Sequence, residues 1–108
     1  MDKGIEQLYT IIMERKQELV DNSYTCYLFQ EGLNKILKKC GEECSEVIIA
    51  AKDGDVTLLK EEICDLLYHI VVLMAERGIE PSEIETILEA RGQKIGNKKQ
   101  KNLSDPNT

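Results

Sequence analysis

The sequence predicts an all-α fold of four to five helices, in which a long antiparallel central helix hairpin completes a helical bundle by dimerisation. Three observations carry this expectation. Apolar residues recur at helical spacing along most of the chain, and no period-2 alternation competes. Aromatics are 5%, Trp is absent, Pro numbers 2 and charged residues reach 31%, a composition that favours helices over strands. A turn signal, Asp53-Gly54-Asp55, separates the two longest periodic segments.

The first helix is expected from about Ile5 to Val20, with Ile5, Leu8, Tyr9, Ile12 and Leu19 on its apolar face. Asp21-Asn22-Ser23 breaks it, and Ser23 or Thr25 can cap the second helix. That second helix is expected from about Tyr24 to Ala51. Wound at about 100° per residue, its stripe holds Phe29, Leu33, Ile36, Leu37, Cys40, Cys44, Val47, Ile48 and Ala51. The third runs from about Val56 to Arg77, with Gly78 as its stop. Its stripe is Leu59, Ile63, Leu66, Leu67, Ile70, Leu73 and Met74. Val71 and Val72 lie off that stripe, so this helix must be nearly surrounded. A homodimer is the natural solution, and a monomer wrapped by the first and fourth helices is the other. The fourth helix starts near Pro81, a favoured first-turn residue, and carries Ile84, Ile87 and Leu88. Residues 1–93 are thus read as one domain, and the polar segment from Lys94 to Thr108 as a disordered tail.

Fourteen Lys and Arg against 20 Asp and Glu give a net charge of -6, which excludes a general nucleic-acid binder. Met1-Asp2-Lys3-Gly4 shows no secretory pattern. The longest apolar run, Ile70 to Ala75, is far below the ~20 residues of a membrane span. A cytoplasmic protein away from the membrane is expected. Cys26, Cys40, Cys44 and Cys64 form no CxxC. Cys40, Cys44 and Cys64 read as reduced core residues.

The chemistry concentrates in two acidic clusters, Glu42-Glu43-x-x-Glu46 and Glu61-Glu62-x-x-Asp65. Residues three apart lie one turn along and roughly 60° round a helix. Glu43 with Glu46, and Glu62 with Asp65, therefore border the apolar stripes of their helices. Glu46 lies eight residues before Gly54 and Glu62 eight after; Glu43 lies eleven before and Asp65 eleven after. Equal distances from the turn of an antiparallel hairpin bring all four level. Converging carboxylates repel. Spacing alone leaves open solvated acidic faces or a site for hard divalent cations. Lys38 with Glu42 and Lys39 with Glu43 are spaced for helix-supporting ion pairs, and Lys35, Lys38 and Lys39 alternatively form a phosphate clamp. His69, the single histidine, reads as a packed, hydrogen-bonded residue. Tyr68 is placed on a different face, toward a subunit contact.

Together, Ser23-Tyr24-Thr25, Tyr27-Leu28-Phe29, Lys35-Ile36-Leu37-Lys38-Lys39, Gly41-Glu42-Glu43-x-x-Glu46-Val47 and Asp65-Leu66-Leu67-Tyr68-His69 resemble the phosphoribosyl-ATP pyrophosphohydrolases of histidine biosynthesis. The acidic pair alone resembles the wider superfamily of all-α, MazG-like nucleoside triphosphate pyrophosphohydrolases. The resemblance covers roughly Ile5 to Arg91 and departs from the family before Ser23, where Val20-Asp21-Asn22 replaces a Pro-x-Gly-like turn. It implies hydrolysis of phosphoribosyl-ATP with Mg²⁺ by a homodimer. It also implies that Glu43, Glu46, Glu62 and Asp65 are metal ligands. Glu42 becomes a candidate base or supporting acid. Lys35, Lys38 and Lys39 are candidates for phosphate contact, and Ser23, Tyr24, Thr25 and Tyr68 for holding the nucleotide or ribose end. Two other expectations stand beside this one: a housekeeping nucleoside triphosphate pyrophosphohydrolase, and a non-catalytic helical interaction module.

Overall fold

The computed structural model describes residues 4–96. Five helices occur among these residues, in order: α1 (Ile5–Gln17), α2 (Tyr24–Glu31), α3 (Leu33–Asp53), α4 (Val56–Arg77) and α5 (Pro81–Gly96). Among the described residues there is no strand. Among them no helix is long and apolar enough to cross a membrane.

Helix α1 stops at Gln17, short of Val20, because Glu18 turns to extended backbone. The link then bends at Asn22, whose φ of 65° is tolerated best by Asn and Asp among residues with a side chain. Ser23 caps α2, its hydroxyl accepting the Cys26 N–H at 3.1 Å.

The segment expected as one helix from Tyr24 to Ala51 is two helices, broken at Gly32. Gly32 sits at φ 94°, ψ -173°, a conformation open in practice only to glycine. The break takes one residue: Gly32 N–H still bonds Leu28 O at 2.9 Å, and Ile36 N–H bonds Gly32 O at 3.2 Å. The apolar stripe runs across it without a gap, which is why periodicity conceals it.

Helices α3 and α4 form the expected hairpin. Gly54 closes α3 in the left-handed conformation, and Asp55 caps α4 by accepting Leu58 N–H at 3.0 Å. At the far end, Ile79 N–H bonds Met74 O at 2.9 Å in a Schellman-type stop. Glu83 then reaches back to the Glu80 N–H at 2.8 Å and opens α5 as a capping box does. Helix α5 continues through Lys94, Ile95 and Gly96, so the polar segment expected as a tail begins inside a helix. Residues 97–108 lie outside the described residues.

The core joins Ile12 of α1, Leu28 of α2, Ile36 of α3, and Val71, Val72, Met74 and Ala75 of α4. Val71 and Val72 are covered within the single chain by its own helices. They therefore do not by themselves require a partner, contrary to the expectation built on them. Lys16 secures α1, donating to Ala75 O at 2.8 Å near the C-terminal end of α4, where a cation also suits the helix dipole.

Other stripe residues face outward. Leu37 and Ile48 of α3, and Ile63, Leu67 and Ile70 of α4, are exposed, as are Cys44 and Cys64. These two cysteines are thus not core in the single chain. All four cysteines are free, with Cys26 buried and Cys40 half-buried.

Candidate metal centre

The hairpin brings the acids together as equal distance from its turn requires. Glu43, Glu62 and Asp65 each offer a carboxylate oxygen, all within 4.8 Å of one another. Glu46, exposed on the next turn of α3, joins them through hydrogen bonding to Glu62 and repulsion of Glu43.

The electrostatics are those of crowded acids. Glu62 is pushed up to about 7, first by desolvation, then by hydrogen bonding and charge repulsion from Glu46, with Asp65 and Glu43 adding to it. Desolvation also raises Glu43, followed by repulsion from Glu46; His69 pulls the other way. Glu43 is 8% exposed, and its Oε2 is buried with no hydrogen-bond partner. A buried oxygen with no donor is a costly feature that calls for a ligand. A hard divalent cation fits this donor set: three carboxylates lie close together, their crowding is relieved by a positive charge, and Glu43 Oε2 has no protein partner.

The pH dependence of the metal-free fold arises from these shifts. The unfolded chain loses the Glu62 proton near 4.5, whereas the native chain keeps it to about 7. Between those values the native state binds more protons. Its stability therefore falls as pH rises through that window and levels off above it. Glu43, also raised, adds in the same direction. Thermal melts in chelator should show Tm declining from about pH 5 to pH 7 and flat beyond. A Tm that climbs across this interval would contradict the crowded-acid reading.

Glu42 lies outside the cluster, exposed and bonded to Lys39 at 3.2 Å, which holds its carboxyl below the usual range. Lys39 also reaches Glu43 at 4.0 Å, so one lysine joins both acids. Lys38 is exposed, and Lys35 stands with its Nζ 5.6 Å from the centre of the Tyr27 ring.

The N-terminus of α2 docks on α4 one turn beyond Asp65. Tyr24 Oη lies 3.0 Å from His69 Nε2, and His69 Nδ1 lies 2.8 Å from the Asp65 carbonyl oxygen. That oxygen only accepts, so Nδ1 carries a proton, and in the neutral ring Nε2 accepts from Tyr24. His69 is thus the packed, bonded residue expected. Thr25 Oγ1 bonds the Tyr68 hydroxyl, and the Tyr24 and Tyr68 rings stack at 6.2 Å. Tyr68 is therefore turned toward α2, and burial pushes its phenol up. The Ser23 hydroxyl is engaged in its helix cap.

Sequence reasoning misses one residue near the site. Tyr27 stacks on Tyr24 at 6.1 Å, so three of the chain's four tyrosines form a row. The i,i+3 spacing of Tyr24 and Tyr27 in an aromatic-poor chain is the signal that could have found it.

Comparison with known proteins bears on this geometry. The profile of the family described as phosphoribosyl-ATP pyrophosphohydrolase matches residues 5–92. A phosphoribosyl-ATP pyrophosphatase of Clostridium botulinum (strain Kyoto / Type A2) is 58% identical over 95 residues, covering 88% of this chain and 86% of the relative. Its namesake in Clostridium acetobutylicum is 49% identical over 102 residues, covering 93% of each. That of Pelotomaculum thermopropionicum is 50% identical over 90 residues, covering 83% of this chain and 92% of the relative. With a profile match that spans all five helices up to Gly92 and relatives of this similarity along most of its length, the chain belongs to the phosphoribosyl-ATP pyrophosphohydrolase family.

Proposed function

We propose that this chain hydrolyses 1-(5-phosphoribosyl)-ATP to 1-(5-phosphoribosyl)-AMP and diphosphate, the second step of L-histidine biosynthesis, with Mg²⁺ as cofactor. The observation that carries it is the convergence of Glu43, Glu62 and Asp65 around an unpartnered buried oxygen, in a member of this family. Water adds to the α phosphorus, the bond from that phosphorus to the α,β-bridging oxygen breaks, and diphosphate leaves. Bound Mg²⁺ would neutralise phosphate charge and lower the pKa of water.

The chain's own residues have distinct parts in this reading. Glu43, Glu46, Glu62 and Asp65 would hold the cation, whose charge would favour the ionised form of Glu62. Lys39 balances Glu42 and Glu43, and in this reading it also contacts a phosphate oxygen of the substrate. Glu42, tied to Lys39 and outside the cluster, supports that lysine. Lys35 and Lys38 offer further cations along the same helix. Tyr24, Thr25 and Tyr68, anchored to His69 and to one another, give the nucleotide a rigid wall beside the acids, with Ser23 capping the helix that carries them.

The chain is read as a homodimer, since the exposed Leu37, Ile48, Ile63, Leu67 and Ile70 leave the hairpin with a large apolar surface. Sedimentation should return twice the 12.3 kDa chain mass. Four free thiols suit a reducing, cytoplasmic setting, and the net charge of -6 leaves nucleic acid out.

The test is diphosphate release from phosphoribosyl-ATP and from plain nucleoside triphosphates, each with and without Mg²⁺. A strong, Mg²⁺-dependent preference for phosphoribosyl-ATP is expected. Equal or better turnover of plain triphosphates would move the protein to a housekeeping role, and no turnover by folded protein would remove the enzyme reading.

A further inference from the structure

The row of tyrosines ends in a lysine that the metal centre does not use. Lys39 is neutralised by Glu42 and Glu43. Lys35 has no such close partner: among the described residues it makes no ion pair, and its ammonium stands 5.6 Å from the Tyr27 ring centre, where the Tyr27 hydroxyl, and at longer range Glu31 and Glu42, favour its charged form. A lysine held by an aromatic face keeps its full charge and gives up little further freedom when an anion arrives. The Tyr27 hydroxyl keeps a proton to donate, since toward an ammonium it can only accept.

The spacing along the site is informative. Lys35 precedes Glu43 by eight residues on one straight helix, about 12 Å at 1.5 Å per residue. Between the two ends stand the Tyr24 and Tyr27 rings, 45% and 41% exposed and inclined by 27°. Partly exposed aromatic faces in such a row suit a nucleobase. A ligand with its triphosphate at the acids and its base along these rings would bring a group on the far side of the base to Lys35.

We propose that Tyr27 and Lys35 form the subsite for the phosphomonoester of the substrate's phosphoribosyl arm, the group that separates phosphoribosyl-ATP from plain ATP. This rests on the substrate reading above and deepens it. The dianionic phosphate takes a charge-assisted bond from Lys35 Nζ and a second from Tyr27 Oη. Plain ATP has nothing to place there, so the pair sets substrate choice and leaves the hydrolytic step to the acids.

The experiment measures kcat/KM for phosphoribosyl-ATP and for ATP in wild type, Lys35→Met, Lys35→Arg and Tyr27→Leu, beside a titration with ribose 5-phosphate followed by NMR of the tyrosine rings. Lys35→Met, which keeps the stem and removes the charge, should lower the preference for phosphoribosyl-ATP over ATP by about tenfold or more, mainly through KM. Tyr27→Leu should lower it less, and Lys35→Arg should retain most of it. Ribose 5-phosphate should shift the Tyr27 resonances in wild type and not in Lys35→Met. An equal loss toward both nucleotides in Lys35→Met overturns the subsite, as does a titration that never touches Tyr27. If wild type itself shows no preference for phosphoribosyl-ATP, the proposed function fails, and the ribose 5-phosphate titration alone then decides the subsite.

Discussion

Glu43→Gln is expected to lower Mg²⁺-dependent turnover by roughly 10²–10³-fold, the scale on which single charge-stabilising groups act, while making the metal-free protein more stable. The two effects have one cause. Glu43 is buried among Glu46, Glu62 and Asp65, with one oxygen lacking a partner. An amide of the same shape removes a charge from that group and adds an N–H that can donate to a neighbouring carboxylate. Metal-free Tm should therefore rise by roughly 2–5 °C, taking 4–8 °C per kcal/mol for a domain near this size. Wild type should gain Tm on adding Mg²⁺, as any ligand of the native state confers, and the variant should gain far less. Calorimetry with and without Mg²⁺, beside the diphosphate assay, reads all of this. A solvated acidic surface would leave both melts unchanged, and that result would dismantle the metal centre.

Ile36→Ala should be the most damaging of the simple core truncations, at about 2–5 kcal/mol. Ile36 is fully buried in the first turn of α3, in the cluster that joins Ile12, Leu28 and Val72 from three other helices. Its loss loosens α2 from the hairpin and with it the wall formed by Tyr24 and Tyr68. A fall in Tm of at least about 8 °C is expected. The same change at Ile48, 59% exposed on α3, supplies the contrast. In an isolated chain Ile48→Ala should be close to neutral. A large loss there would instead show that a second subunit covers this face.

Much of the fold is legible in the sequence because it obeys local rules. The Asp53-Gly54-Asp55 turn places the hairpin, Gly78 and Pro81 bound α4 and α5, and the matched distances of Glu43 and Asp65 from Gly54 foretell their meeting. The failures come where two structures share one pattern. An apolar stripe of constant period cannot reveal a one-residue interruption, so the break at Gly32 is hidden. Nor can a stripe say which neighbour covers it. Val71 and Val72 are buried by their own chain, and Cys44 and Cys64 are not. The contact of Tyr24 with His69 joins residues 45 apart, and no spacing rule reaches across separate helices. The bond of Thr25 to Tyr68, 43 residues apart, is out of reach for the same reason.

The backbone at Gly32 carries a stereochemical consequence. Reflecting its φ of 94° and ψ of -173° gives an ordinary extended conformation. A residue of the opposite hand is therefore at ease there, where an L-residue is strained by about 1–3 kcal/mol. The methyl group of an L-residue here would meet no heavy atom within 4 Å, so space is not what excludes it. The ban on side chains at Gly32 is one of chirality alone. Chemical synthesis of the chain, with ligation at the native Cys40, could set D-alanine at this joint and stiffen it where every genetically encoded substitution would weaken it.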